Sequence, residues 1–332
     1  MPGILEEAMI PTIDLTGLGT PGCADHGRIA AQLVDIYSTV GFAYLSNHGV
    51  DKAVVEAAFE ASRKFHALPL ASKMAIEVNE YHRGYIPINT STTTTSSVAT
   101  VTKPNQSASL MLMHEVSPDS ELARAGAPLA GPNQWPSALP EINAPLLAYV
   151  RAMTTVARGL VTTLEVALGA EPESLLQYFE TPTTFLRLLH YPPTAGDAAE
   201  GFFGSAPHSD YGFITLLAQD DVGGLQVRGE DGRWIDVLPR DGSLVMNTAD
   251  ILHRWSNGRL ISTPHRVRTN PAVERFSLPF FFDPDIRTRV EPLPSCVMPG
   301  SDPLFEPVVY GDYLMHRLRS NHLQHGESRP IR

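Results

Sequence analysis

From Phe185 onward the chain is written in short apolar runs cut by turn residues, and that texture limits the folds open to it. FLRLLHY, FITLLAQ, LQV, WIDVL, SLVMN and RFSLPFFF alternate with DDVGG, GEDG and PRDG, the pattern of an antiparallel sandwich or barrel. Ahead of residue 185 the periodicity is mostly helical. Ile29, Leu33 and Ile36 predict a helix over residues 26–37, and residues 52–68 read as a second. Leu146, Val150, Met153, Ala157, Leu160, Leu164 and Leu168 keep a 3.6-residue repeat up to Gly169, a plausible C-cap. Short strands are expected over residues 10–15 and 41–45, the second followed by a turn at Asn47 to Val50. The expected class is therefore α+β, a helix-rich N-terminal part leading into a β-rich C-terminal part. Residues 90–97 (TSTTTTSS) break the regularity and read as a solvated loop or as a flap over a site.

Composition narrows the function. Hydrophobic residues make up 43 % of the 332-residue chain and charged residues 18 %, ample for a core and unlike a disordered segment. The net charge of −11 comes with no Lys/Arg cluster, so no nucleic-acid partner is expected. The two cysteines, Cys23 and Cys296, form no CxxC, which argues against a disulfide framework or a zinc-thiolate site and for a reducing compartment. No basic-then-apolar leader opens the sequence and no apolar run is long enough for a membrane span. The expectation is a cytoplasmic protein acting on a small molecule, with its oligomeric state open.

Twelve histidines make histidine alone uninformative. His208-Ser209-Asp210 is different, because residues i and i+2 of a strand share a face and bring imidazole and carboxylate together. A third ligand must come from another strand, and His265, in STPHRV, is the candidate; His253, in DILHRW, is a rival by proximity alone. Two His and one carboxylate form the facial triad of non-haem Fe(II) oxygenases, with positions left for cosubstrate and O₂. Ten residues after His265 come Arg275 and Ser277, again on one strand face. A guanidinium fork beside a hydroxyl suits the far carboxylate of a dicarboxylic keto acid.

With these pieces in place the sequence resembles the isopenicillin N synthase-like family of Fe(II)/2-oxoglutarate oxygenases. The resemblance rests on IPTIDL, GFAYLSNHGV, LRLLHYPP, PHSDYGFITLLAQDDVGGLQV, MNTADILHRWSNGRLISTPHRV and ERFSLPFFFDPD, which span nearly the whole chain. It implies a double-stranded β-helix (jelly-roll) core, with His208, Asp210 and His265 as iron ligands. It implies Arg275, Ser277 and Tyr191 as the 2-oxoglutarate cradle and Phe281 as an aromatic wall of the substrate pocket. His253 then becomes structural, and Asn257 and Gly258 turn residues. Tyr211, Phe213 and Arg83 are further substrate-pocket candidates, Arg83 as an anchor. Two departures stand out: Leu189 where relatives often have Asn, removing one polar contact to the cosubstrate, and Ala249-Asp250 where Gly-Asp is usual.

The division implied is an N-terminal region over 8–125, linking helices over 126–180, the oxygenase jelly roll over 181–290 and a C-terminal extension over 291–332. The activity implied is oxidation of a small metabolite by hydroxylation, desaturation or ring closure, with release of succinate and CO₂. Alternatives are a family oxidase that does not use 2-oxoglutarate, an ethylene-forming variant and an inactive jelly-roll binding protein.

Overall fold

A computed structural model describes residues 10–18 and 24–321. Cys23, Gly19 and the first nine residues lie outside the described residues, and with them the readings of the cysteine pair and the N-terminus. The N-terminal part runs β1 (Thr12–Asp14), α1 (Ala24–Tyr37), β2 (Phe42–Ser46), α2 (Lys52–Ala67), α3 (Leu70–Met74), β3 (Gly84–Ile86), β4 (Ala108–Met113) and α4 (Glu121–Arg124). It leads to the long helix α5 (Asn143–Leu168). Then come β5 (Thr183–Tyr191), β6 (Ser205–His208), β7 (Ile214–Gln219), β8 (Leu225–Arg228), β9 (Trp234–Asp236) and β10 (Leu244–Thr248). The remainder is α6 (Asp250–Trp255), β11 (His265–Val267), β12 (Arg275–Asp283), β13 (Arg289–Val290), β14 (Val308–Val309) and α7 (Tyr310–Asn321).

The class is α+β, and its sheets fit a jelly-roll core. One sheet has the order β1-β2-β10-β7-β12-β5-β4-β3, the other β6-β11-β8-β9. β1 to β4 extend the first sheet at both ends, so the N-terminal part shares the sheet of the C-terminal part. Between the sheets lies a small apolar cluster, with Phe42, Tyr44, Leu189 and Val245 from the first and Leu225, Val227 and Val267 from the second. The opposite face of the first sheet buries Leu186, Leu188, Leu216, Met246, Leu278 and Phe280 in a larger core with α1, α2 and α5. The stripe on α5 foreseen in the sequence packs there, with Leu146, Met153, Leu160 and Leu164 fully buried, and Gly169 ends the helix at φ 64°, where a side chain would be strained. Pro279 lies inside β12, and the ladder with β5 skips Leu278 and Pro279, as a residue without an N–H requires. No helix among the described residues is long and apolar enough to cross a membrane.

Candidate active site

The alternation of the strands decides what faces the space between the sheets. On β5 these are Phe185, Arg187, Leu189 and Tyr191; on β12, Arg275, Ser277, Pro279 and Phe281; all border the internal cavities. His208 is the last residue of β6 and His265 the first of β11, and the two are paired directly across the strands. A register shift between His265 and Val267 marks a bulge at this point, a device that re-aims side chains. The ring centroids stand 4.3 Å apart.

Asp210 does not lie in a strand, as the i, i+2 argument assumed: β6 ends at His208, and Asp210 begins the turn that follows. The turn is held by the start of α6, where Asp250 N–H donates to the Asp210 carbonyl at 3.0 Å and Ile251 N–H to that of Gly212 at 2.8 Å. Asp210 Oδ1 lies 3.6 Å from His208 Nε2 and 3.7 Å from His265 Nε2. One ligand atom from each of the three residues falls within 4.8 Å of the others.

The donor set fits a divalent metal. His208 Nδ1 is 2.7 Å from the Ala206 carbonyl and His265 Nδ1 3.3 Å from that of Thr263. Carbonyls only accept, so each Nδ1 carries the proton and each Nε2 turns its lone pair inward. Asp210 Oδ2 accepts from Thr215 Oγ1 at 2.5 Å and Asn247 Nδ2 at 2.7 Å, which leaves Oδ1 for the metal. Burial, joined by the neighbouring His265, lowers the His208 imidazole to about 4, so it is neutral at physiological pH. Burial works to raise the Asp210 carboxyl, but the two imidazoles and its two hydrogen-bond donors hold it below its ordinary value.

The cavity bordered by the triad is also bordered by Arg275, which is 2 % exposed. Arg275 Nη1 donates to Ser277 Oγ at 3.2 Å and Nη2 to Gln219 Oε1 at 3.1 Å, while the guanidinium lies 4.7 Å over the Tyr191 ring. Its Nε has no partner, and no carboxylate comes within salt-bridge distance among the described residues. A buried cation left in this way calls for an anion. Leu189 borders the same cavity with no polar group to offer.

A larger outer chamber opens from the triad, bordered by Ile86, Met111, Phe185, Tyr211, Phe281 and Leu314 among others. Ser91, Thr92 and Thr93 also border it, so the threonine-rich stretch forms a wall, with Thr93 7 % exposed and Thr94 bonded to the Ser320 carbonyl of α7. α7 is tied down in turn: Tyr310 donates to Asp283 Oδ2 at 2.6 Å and Tyr313 to Asp250 Oδ2 at 2.8 Å.

Phe281 and Tyr211 thus border the chamber, whereas two expected pocket residues do not. Phe213 is fully buried on the far side, packed on Phe179 and Trp255, because the chain turns between Asp210 and β7 and breaks the strand alternation. Arg83 is fully buried, its Nη1 donating to the carbonyls of Tyr81 and Leu129 and its Nη2 to that of His114; it staples loops together and reaches neither cavity. His253 binds the Leu260 carbonyl through Nδ1 and lies outside the triad. Asn257 and Gly258 have φ of 49° and 82°, as turn residues do. Sequence reasoning missed Thr215 and Asn247, although both lie inside the segments that carry the motif, and it missed Arg187.

Two imidazoles and a carboxylate in one cavity, with a buried guanidinium that has no carboxylate in salt-bridge distance among the described residues, define the class as a non-haem metal oxygenase that takes a diacid cosubstrate. Known proteins agree. Residues 182–284 match the model of the 2OG-Fe(II) oxygenase superfamily, and residues 10–138 that of the N-terminal region of non-haem dioxygenases in morphine synthesis. A 2-oxoglutarate-Fe(II) type oxidoreductase, hxnY, of Emericella nidulans is 31 % identical over 91 % of this chain and 87 % of its own. A homoarginine-6-hydroxylase of Arabidopsis thaliana is 30 % identical over 94 % and 97 %. Among solved structures, a 2OG-Fe(II) oxygenase family protein from Caulobacter crescentus superposes with a TM-score of 0.80 at 28 % identity, covering 93 % of this chain and 98 % of that one. A Neurospora crassa protein in complex with alpha-KG and thymine gives 0.79 at 26 % identity, covering 96 % and 98 %. The chain belongs to the 2-oxoglutarate/Fe(II) oxygenase superfamily. It is a dioxygenase that uses Fe(II), 2-oxoglutarate and O₂ on a small-molecule substrate.

Proposed function

We propose that His208, Asp210 and His265 hold the iron, that Arg275, Ser277 and Tyr191 hold the distal carboxylate of 2-oxoglutarate, and that the substrate occupies the outer chamber against Phe281 and Tyr211. The observation that carries this reading is the buried Arg275, with no carboxylate in salt-bridge distance among the described residues, lining the same cavity as the triad. When bound, Fe(II) and 2-oxoglutarate would activate O₂: one oxygen atom enters succinate as the keto acid loses CO₂, and the other is left to oxidise a C–H bond. The chain's own part is placement and exclusion of water. Asn247 and Thr215 fix the Asp210 carboxylate, the carbonyls of Ala206 and Thr263 fix the two imidazoles, and Ser277 and Gln219 orient the Arg275 fork. α7 and residues 91–93 close the chamber from outside. No side chain is needed as a general base.

We read the facing sheets as a double-stranded β-helix, a reading supported by the inward alternation of β5, β7, β10 and β12 opposite β6, β8 and β11. The division at about 8–125, 126–180, 181–290 and 291–332 gives the C-terminal extension a purpose, since it carries α7. Sparse cysteine supports a reducing, cytoplasmic setting.

Anaerobic addition of Fe(II) and then 2-oxoglutarate should give a weak visible charge-transfer band, and turnover should yield one succinate per oxidised substrate. O₂ uptake without succinate would support the oxidase alternative, ethylene in the headspace the fragmenting one, and absence of the band a binding protein.

A further inference from the structure

Arg187 is the charged side chain that the reaction as described leaves unused. It sits on the inner face of β5, two residues after Phe185 and four before Tyr191, and borders both the cosubstrate cavity and the outer chamber. Its Nη2 donates to Ser109 Oγ at 3.0 Å. Its Nε is buried without a partner, no hydrogen bond engages Nη1, and no carboxylate lies within salt-bridge distance among the described residues. Arg83, whose Nε is likewise unpartnered, shows what a structural arginine looks like in this protein: its two Nη atoms make three bonds to backbone carbonyls. Arg187 makes one.

The geometry points to Arg187 as the anchor of an anionic substrate group, and so to a small, largely apolar carboxylate as the substrate class. This rests on the chamber being the substrate site, as proposed above. The remaining walls offer an apolar body its contacts through Met111, Phe185, Phe281, Leu314 and Leu318. The chamber's acidic groups are already engaged. Asp210 belongs to the triad, and Asp283 accepts from Phe213 N–H at 2.6 Å through Oδ1 and from Tyr310 through Oδ2. A cationic substrate therefore finds no free anion, while a carboxylate finds a guanidinium whose Nη1 is without a bond and whose Nη2 is held by Ser109 alone. The Asp210 carboxylate already acts on this guanidinium from the triad, but it lies beyond salt-bridge distance; a neutral carbonyl adds a hydrogen bond and no charge, whereas a carboxylate adds both. An acid gripped at Arg187 lies beside the triad, at the junction of the two cavities.

The test uses matched acid and amide pairs: benzoate and benzamide, phenylacetate and phenylacetamide, cyclohexanecarboxylate and its amide. Each is titrated anaerobically into protein loaded with Fe(II) and saturating 2-oxoglutarate, with the charge-transfer band as readout. The band before any addition tests the cosubstrate reading on its own. At least one acid should shift it saturably, at about tenfold lower concentration than its amide. Arg187→Gln should weaken that acid by about 30-fold and its amide by less than about threefold, with the band intact, and Arg187→Lys should restore part of the loss. Equal binding of acids and amides, no shift with any acid, or an unchanged response in Arg187→Gln overturns the assignment. So does an acid that abolishes the band, because it is then displacing 2-oxoglutarate from Arg275.

Discussion

Asn247 was invisible as a site residue in the sequence, and the structure gives it a measurable task. Its Nδ2 donates to Asp210 Oδ2 at 2.7 Å, next to the Thr215 hydroxyl at 2.5 Å, and both residues are buried at 3 % exposure. A hydrogen bond to a charged group is worth about 1.5–3 kcal/mol. At about 1.4 kcal/mol per factor of ten, Asn247→Leu should weaken metal binding by about 10- to 100-fold. The substitution keeps the volume and removes only the donor; Thr215→Val does the same on the other side. Each single variant keeps the other donor on Oδ2, so it holds the carboxylate less firmly without freeing it. The double variant leaves a buried oxygen with no donor, so it should lose more than the two single losses combined. Calorimetric titration of Mn(II), an oxygen-stable stand-in for Fe(II), with 2-oxoglutarate present, gives the affinities, and circular dichroism checks the fold. Affinities within twofold of the parent in both single variants, with the fold intact, would refute the view that these bonds preorganise Asp210.

Three further perturbations test other parts of the site. Arg275→Leu should raise the KM for 2-oxoglutarate by about 100-fold, in line with about 3 kcal/mol for a buried charge pair, while Mn(II) still binds in the absence of cosubstrate; an unchanged KM removes the cradle. Burial pushes the Asp283 carboxyl up to about 7 from 3.8, so its protonated form favours folding. That contribution is complete below pH 3.8 and is lost as pH rises to about 7, a span of about 4 kcal/mol. Asp283→Asn should therefore gain stability relative to the parent progressively across that window, read by urea unfolding; parallel pH profiles would contradict it. A Cβ at Gly212 would lie 1.8 Å from Asp283 Oδ1, so Gly212→Ala should cost about 3 kcal/mol and lower Tm by about 4 °C; a melt within about 1 °C of the parent would show that the turn can shift.

Much of the site was legible because its residues obey strand periodicity. His265 could be preferred to His253 because Arg275-x-Ser277 follows it, and α5 was legible because its apolar stripe is long. Arg187 was equally within reach, since it lies in the same LRLLHYPP segment as Tyr191 and, four residues before it, on the same strand face. What failed were the positions where periodicity stops. Between Asp210 and Ile214 the chain turns, so nearness to the HxD put Phe213 in the pocket when its ring belongs to the opposite core. Arg83 was judged by its charge, but its partners come from three places in the sequence, Tyr81, His114 and Leu129, and no local pattern announces them. The wall supplied by α7 arrives from about 100 residues beyond His208, and no short motif marks it.

The same periodicity explains how a chain can bury two under-paired guanidiniums, which by themselves disfavour folding. On β5, β7, β10 and β12 the odd-numbered residues face the cavity: Arg187, Tyr191, Thr215, Asn247, Arg275 and Ser277 are among them. The even-numbered residues Leu186, Leu188, Leu216, Met246, Phe280 and Phe282 face α1, α2 and α5 and are at most 1 % exposed. Each such side chain contributes about 1.5–3 kcal/mol on burial. A slip of one residue in any of these strands would turn its apolar set into the cavity and its polar groups into the helical layer. The outer face thus holds the register, and the register holds the chemistry. It follows that shortening side chains under α5, such as Leu216 or Phe280, should disturb cosubstrate binding only to the extent that it unfolds the protein, whereas changes on the odd-numbered face should alter binding in a protein that melts normally.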